Sequence, residues 1–185
     1  MAKTEVRFSG FGGQGIILAG FISGKAATLF DKRNATLTQS YGPESRGGAC
    51  SAELIISDED ILYPHLLGAD ILVAMSQPAY EMYKDKLAPD GMLIVDSDLV
   101  NPGDVPPGIR LYSIPATRLA EEMGRSVVAN IVMLGFFTAV SGVISEEAMR
   151  QAILSSVPPG TEELNNQAFE TGLNYGKEAV PTEAN

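Results

Sequence analysis

The stretch Glu5-Val-Arg-Phe-Ser-Gly-Phe-Gly-Gly-Gln-Gly-Ile-Ile-Leu-Ala19 decides the fold. Val6 and Phe8 alternate with polar neighbours, which is the period of a half-buried strand. Four glycines then crowd the turn, Gly10, Gly12, Gly13 and Gly15, before an apolar run opens at Ile16. Strand, tight turn and helix in that order place several backbone N–H groups at a helix N-terminus, where anionic groups are favoured. Gly10, Gly12, Gly13, Gln14 and Gly15 are therefore candidate contacts to an anion or cofactor. The alternative stays open that these glycines only permit a tight turn and close strand–helix packing.

Working outward, strands are expected at 4–9, 34–39, 49–57, 70–75, 92–96 and 110–113, each short and rich in β-branched or aliphatic residues. Helices are expected at 15–30, 78–86, 116–123, 128–141, 146–155 and 162–175. Ser145 and Thr161, each followed by two glutamates, read as N-caps with acids in the first turn. Gly124 reads as a helix stop and Pro89-Asp-Gly91 as a turn before a strand. Alternating strands and helices imply an α/β fold with a doubly wound, mostly parallel sheet and helices on both faces. The segment 34–57 holds two strands joined by a glycine-rich loop, so antiparallel pairing is expected there. One domain is expected over 1–180, with a frayed tail at 181–185.

A net charge of −10 argues against nucleic-acid binding, which needs Lys and Arg against phosphates. One cysteine, Cys50, excludes an internal disulfide and any iron–sulfur cluster ligated by this chain's thiolates alone. Cys50 reads as a small buried apolar residue. With one histidine besides, no metal site is expected; Asp58-Glu59-Asp60 and Asp96-Ser97-Asp98 read as turns. His65 reads as a surface residue near a helix start. The uncharged stretch 127–144 approaches the length of a membrane span, but Asn130, Thr138, Ser141, Gly135 and Gly142 favour a core helix or a subunit interface. An interface there would allow the isolated chain to form a homodimer. The N-terminal residues run into a strand without an apolar signal core, so the cytoplasm is the expected compartment.

Gly10-x-Gly12-x-x-Gly15 meets the spacing of a dinucleotide-binding turn, but that turn wants an acidic residue at the end of the second strand. Here the second strand ends in Thr38-Gln39-Ser40, and Asp31 lies earlier, at the helix end. A nicotinamide hydride carrier is not expected, and with no Lys-Ser/Thr after the loop neither is a P-loop hydrolase.

The second glycine-bearing segment, Thr38-Gln-Ser-Tyr-Gly-Pro-Glu-Ser-Arg-Gly-Gly48, is more specific. Together with Gly12-Gly13-Gln14-Gly15 it resembles the gamma subunit of the 2-oxoacid:ferredoxin oxidoreductases. The resemblance continues through Ile55-Ile-Ser-Asp-Glu59, Ile94-Val-Asp-Ser-Asp98, Asn130 with Leu134-Gly135, and Asn166 with Phe169. Gln39-Ser-Tyr-Gly-Pro43 is more similar to the 2-oxoglutarate type than to the pyruvate type. The resemblance implies a Rossmann-like accessory domain, without catalytic residues of its own, in a complex that decarboxylates a 2-oxoacid, passes the acyl group to coenzyme A and sends two electrons to ferredoxin. It also implies that thiamine diphosphate, magnesium and iron–sulfur clusters sit on the alpha, beta and, where present, delta subunits. This chain lacks the Gly-Asp-Gly pattern of a thiamine site, since Asp90-Gly91 is preceded by Pro89.

On that loop Arg46 is a candidate two-pronged contact to a carboxylate, a phosphate or coenzyme A; the alternative is an internal contact to Glu44. Tyr41, Gly42, Pro43, Glu44, Ser45 and Arg46 form a candidate subunit interface, with Tyr41 stacking on a partner or else capping the local core. Asn130 inside an apolar helix needs a hydrogen-bond partner, in the core or across an interface. Arg33, by contrast, is expected to be exposed. Two other readings remain: a free-standing nucleotide-binding oxidoreductase and a purely architectural module.

Overall fold

The computed structural model describes residues 3–41 and 48–180. Six strands form one sheet: β1 (Lys3–Phe11), β2 (Asn34–Tyr41), β3 (Ala49–Ser57), β4 (Ala69–Ala74), β5 (Leu87–Asp96) and β6 (Arg110–Ile114), in the order β2-β3-β1-β4-β5-β6. The pairs β1–β4, β4–β5 and β5–β6 are parallel. β3 runs antiparallel to both β1 and β2. The mostly parallel α/β sheet and the antiparallel 34–57 segment are as the sequence implies. The pairing β3–β1 is what the sequence does not reveal: the hairpin inserts its second strand between the first two.

The six α-helices are α1 (Ile16–Lys25), α2 (Gln77–Tyr83), α3 (Ala116–Glu122), α4 (Ala129–Ser141), α5 (Glu146–Leu154) and α6 (Glu162–Ala179). A π-helical turn, Ala26–Phe30, prolongs α1 to the expected end. Helices lie on both faces, but unequally. Val6, Phe8, Ile71, Val73 and Ile94 point into the large core shared with α1 and α3–α6. Their strand neighbours Leu72, Ala74, Leu93 and Val95 meet Tyr80 and Tyr83 of α2 on the other face. That alternation is the strand period made visible.

The uncharged stretch resolves into α4, where eleven of thirteen residues are buried. It packs against α6 with almost no side-chain spacer. A Cβ on Gly172 would lie 1.8 Å from the Val132 carbonyl oxygen, and one on Gly135 2.1 Å from that of Phe169. Its apolar surface is thus covered within the chain. No helix among the described residues is long and apolar enough to cross a membrane.

Four local readings need correction. Pro89-Asp-Gly91 is not a turn ahead of a strand. Leu87 pairs with Ala69 and Met92 with Ile71, so residues 88–91 bulge out within β5, where proline costs no ladder bond. Thr161 does not cap α6; its hydroxyl donates to the Pro158 carbonyl, and Asn165 donates back to Thr161. Ser145 does cap α5, accepting from Ala148 N at 3.2 Å. His65 is exposed in the β3–β4 loop with its ring against Tyr63, and no helix begins there. Arg33 is not a free surface cation. Its Nε is 2.7 Å from Asp58 Oδ1 and its Nη1 donates to the Val143 carbonyl, which leaves the side chain 16% exposed. Gly124, at φ 83°, does close α3, with its N–H on Glu121 O and that of Arg125 on Ala120 O.

Candidate functional site

The chain leaves β1 to one side, toward β2, and returns to the other side at β4. The C-terminal ends of β1 and β4 therefore flank a topological switch point, where α/β sheets hold ligands. The glycine loop lies there. Gln14 spans it: its Oε1 accepts from Phe11 N at 2.6 Å, and its Nε2 donates to the Met75 carbonyl at 2.8 Å. Its carboxamide thus holds the two strand ends in register, which is a bond to the chain's own backbone.

The four glycines divide into two kinds. Gly10 is filled from within, since a Cβ there would meet Gln14 Oε1 at 2.4 Å and Ile16 Cδ1 at 2.7 Å. Gly15 adopts φ 74° and a Cβ there would lie 2.3 Å from Asn130 Nδ2. The buried Asn130 amide donates to the Gly15 carbonyl at 3.2 Å, so the first turn of α4 is fastened to the start of α1. Two candidates that sequence placed in separate roles are in fact one contact. Gly12 and Gly13 differ from these: both are exposed, and a Cβ at either meets no atom within 4 Å. Gly13 has φ 94°, while Gly12 lies outside the left-handed region. Only this half of the loop is open to a ligand or partner.

Register brings the second segment to the same edge. Gly10 pairs with Cys50 and Cys50 with Tyr41, so Tyr41 stands two strands, roughly 10 Å, from Gly10. Tyr41 is 68% exposed, which rules out the core-cap alternative; its hydroxyl donates to Gln39 Oε1. Gly42, Pro43, Glu44, Ser45 and Arg46 lie outside the described residues. Cys50 is buried and burial pushes its thiol above the usual range, as suits a packed residue.

Neighbouring carboxylates have structural partners. Asp96, wholly buried at the end of β5, accepts from Thr117 N, the Thr117 hydroxyl and Asp98 N, and so fixes the start of α3. Asp31 accepts from Ser145 N and its hydroxyl. The Arg33 hydrogen bond holds the Asp58 carboxyl below its ordinary range.

A dinucleotide-binding turn needs its ribose anchor on the strand beside β1. Here β3 occupies that position and runs the opposite way, and β2 lies one strand further out. The tertiary fold thus adds a second reason against a hydride carrier. Among the charged pairs that sequence reasoning missed is the buried Arg7 on β1 with Glu53 on β3. Its only signal was the polar half of the alternation that began the sequence.

Fold and site together define a class: a Rossmann-like α/β domain with a half-open glycine turn at the switch point and, among the described residues, no ribose anchor. The chain belongs to the pyruvate ferredoxin/flavodoxin oxidoreductase family, whose pattern matches residues 5–175. It is 52% identical over 178 residues to the 2-oxoglutarate synthase subunit KorC of Methanocaldococcus jannaschii, covering 95% of each chain. It superposes on the gamma subunit of a keto/oxoacid ferredoxin oxidoreductase from Geobacter sulfurreducens with a TM-score of 0.83 at 43% identity, over 96% of this chain and 99% of that one. It also matches the 2-oxoglutarate:ferredoxin oxidoreductase of Magnetococcus marinus, whose structure holds 2-oxoglutarate, coenzyme A and succinyl-CoA. There the TM-score is 0.85 at 26% identity, over all of this chain and 32% of that one.

Proposed function

We propose that this chain is the gamma subunit of a cytoplasmic 2-oxoacid:ferredoxin oxidoreductase acting on 2-oxoglutarate, and that its glycine edge faces the coenzyme A side of the assembly. The observation that carries the reading is the 52% identity to a 2-oxoglutarate synthase subunit across 95% of both chains. The reaction of the complex is oxidative decarboxylation: 2-oxoglutarate and coenzyme A give succinyl-CoA and carbon dioxide, and two electrons pass to ferredoxin.

The reacting groups belong to the alpha, beta and, where present, delta subunits. Thiamine diphosphate with its magnesium supplies the carbanion chemistry there, and iron–sulfur clusters carry the electrons. Cys50 is the chain's one cysteine, and its buried, protonated thiol is unsuited to ligate a cluster. What this chain contributes is a fixed edge. Gln14 and Asn130 lock the two ends of the glycine turn, and Gly12 and Gly13 between them are exposed just ahead of α1. A phosphate-bearing group is favoured at such a helix start. Tyr41 stands at the same edge as a stacking contact to coenzyme A or to the neighbouring subunit, and Arg46, read from sequence and resemblance alone, is the charged contact.

The test is purification of the complex through this chain, followed by 2-oxoglutarate- and coenzyme A-dependent reduction of ferredoxin. Omitting the chain is expected to abolish coupled turnover. Full turnover of the remaining subunits, or use of pyruvate in place of 2-oxoglutarate, would overturn the assignment.

A further inference from the structure

The end of the sheet away from the glycine turn carries a second built surface. The loop between β3 and β4 crosses this end, and it is apolar where a loop is ordinarily polar. Leu62 is 94% exposed, Leu67 81% and Tyr63 57%. Large apolar side chains gathered on one exposed loop mark an interaction site rather than ordinary surface. The loop is also held in place. Glu5, itself buried, accepts from Leu67 N at 3.0 Å and Gly68 N at 3.1 Å, so a carboxylate from β1 fixes the Leu67 end of the loop.

Beside the loop lies a cavity of about 520 Å³, bordered by Leu66, Leu67, Lys86 and Arg7. Arg7 is 5% exposed and packs 4.8 Å from the Tyr83 ring centre. Its Nε and Nη2 both donate to Glu53 Oε1. A planar guanidinium that turns this edge to Glu53 carries Nη1 on the opposite edge. Nη1 is buried and has no hydrogen-bond partner among the described residues. A buried donor without an acceptor is uncommon in a finished structure. A docked surface cannot reach Nη1, which is itself buried, so the exposed apolar residues of the loop are what a protein partner would cover.

We infer that this end of the sheet docks another subunit of the assembly, one that presents apolar side chains to Leu62 and Leu67 and a basic rim to the carboxylates around them. Charge selects that occupant over a second copy of this chain. Glu59, Asp60 and Asp70 are exposed around the loop, and the chain as a whole carries −10, so a self-pairing would oppose like charges. A partner with a basic rim would not. The inference rests on the subunit reading above, and it gives the chain two working ends: the glycine turn at one, an anchor at the other.

The experiment uses the co-expressed complex. The double variant Leu62→Glu and Leu67→Glu is expected to melt like the parent as a free chain, because neither side chain is in the core. It is expected to recover at least about tenfold less of the other subunits, since burying one leucine contributes a tenfold or greater factor to affinity. Leu111→Ser, on the far edge strand, is the control and assembles normally. Hydrogen exchange of the parent, free and assembled, serves as the second measurement; slowed exchange at 61–68 on assembly is expected. A double variant that assembles like the parent, or unchanged exchange at 61–68 in an assembled parent, overturns this inference and leaves the subunit reading standing. A free parent that dimerises through Leu62 and Leu67 also overturns it. A parent that assembles with no other chain overturns both.

Discussion

Replacing Gly15 and Gly12 one at a time separates what the glycine turn does for folding from what it does for the complex. At Gly15 an alanine meets two costs. The residue has φ 74°, and an L side chain in that region is destabilised by about 1–2 kcal/mol. Its Cβ would also stand 2.3 Å from Asn130 Nδ2, so Asn130 must withdraw and its buried amide loses the Gly15 carbonyl. A buried donor left unpaired costs about 1–3 kcal/mol. The sum, about 2–5 kcal/mol, corresponds to a melting temperature lowered by roughly 4–20 °C for a chain of this length. Gly12→Val meets neither cost. Its backbone is outside the left-handed region and its Cβ enters open space, so the free chain should melt within a degree or two of the parent. In the complex the same valine occupies the exposed face of the turn. The expected result is a raised KM for coenzyme A or weakened assembly. Thermal melting of the free chain, and coenzyme A titration of the reconstituted complex, read the two effects separately. The reasoning is refuted if Gly15→Ala melts like the parent, or if Gly12→Val unfolds the free chain. If Gly12→Val leaves both melting and turnover unchanged, the turn has no outward role.

Gly172→Ala should destabilise the fold by about 1–3 kcal/mol or more, because its Cβ meets a backbone carbonyl that cannot rotate away and α4 and α6 must part; urea denaturation with an unchanged slope would measure it. Arg46→Lys should leave melting unchanged but weaken assembly or coenzyme A-dependent turnover roughly ten- to a hundredfold, the factor for one hydrogen bond to a charged group. Arg110→Lys, exposed on β6, is the control in place of the paired Arg33; normal turnover by Arg46→Lys would leave only a loop-fixing role. Cys50 should resist a thiol reagent at neutral pH in the native chain and react at once in denaturant, because burial both shields the thiol and disfavours the thiolate. Rapid labelling of the native chain would contradict the packing described for β3.

Local chemistry is what the sequence settled alone. The alternation at Val6 and Phe8, the glycine turn, and the Ser145 and Gly124 helix ends depend on residues a few positions apart, so they are readable in order along the chain. The single cysteine likewise bounds, by number, what this chain's own thiolates could give to a cluster. Arg46 and its neighbours at 42–45 remain a reading of sequence and resemblance. What only the tertiary structure decided depends on partners far away in the chain. Gly15 and Asn130 are 115 residues apart, and only their contact shows that one glycine is packing while Gly12 is open. The uncharged stretch 127–144, read as a core helix or a subunit interface rather than a membrane span, was assigned to the core only when α6 was seen to cover it through Gly172. Arg33 was misread because its side chain found distant partners, Asp58 and Val143, whereas Thr161 was misread locally, its hydroxyl turning back to the Pro158 carbonyl three residues earlier. The insertion of β3 beside β1 is the largest such decision. Hydrogen-bond pairing between strands leaves no periodic mark in either strand, so the position that would have held a ribose anchor could be judged only once the sheet was assembled.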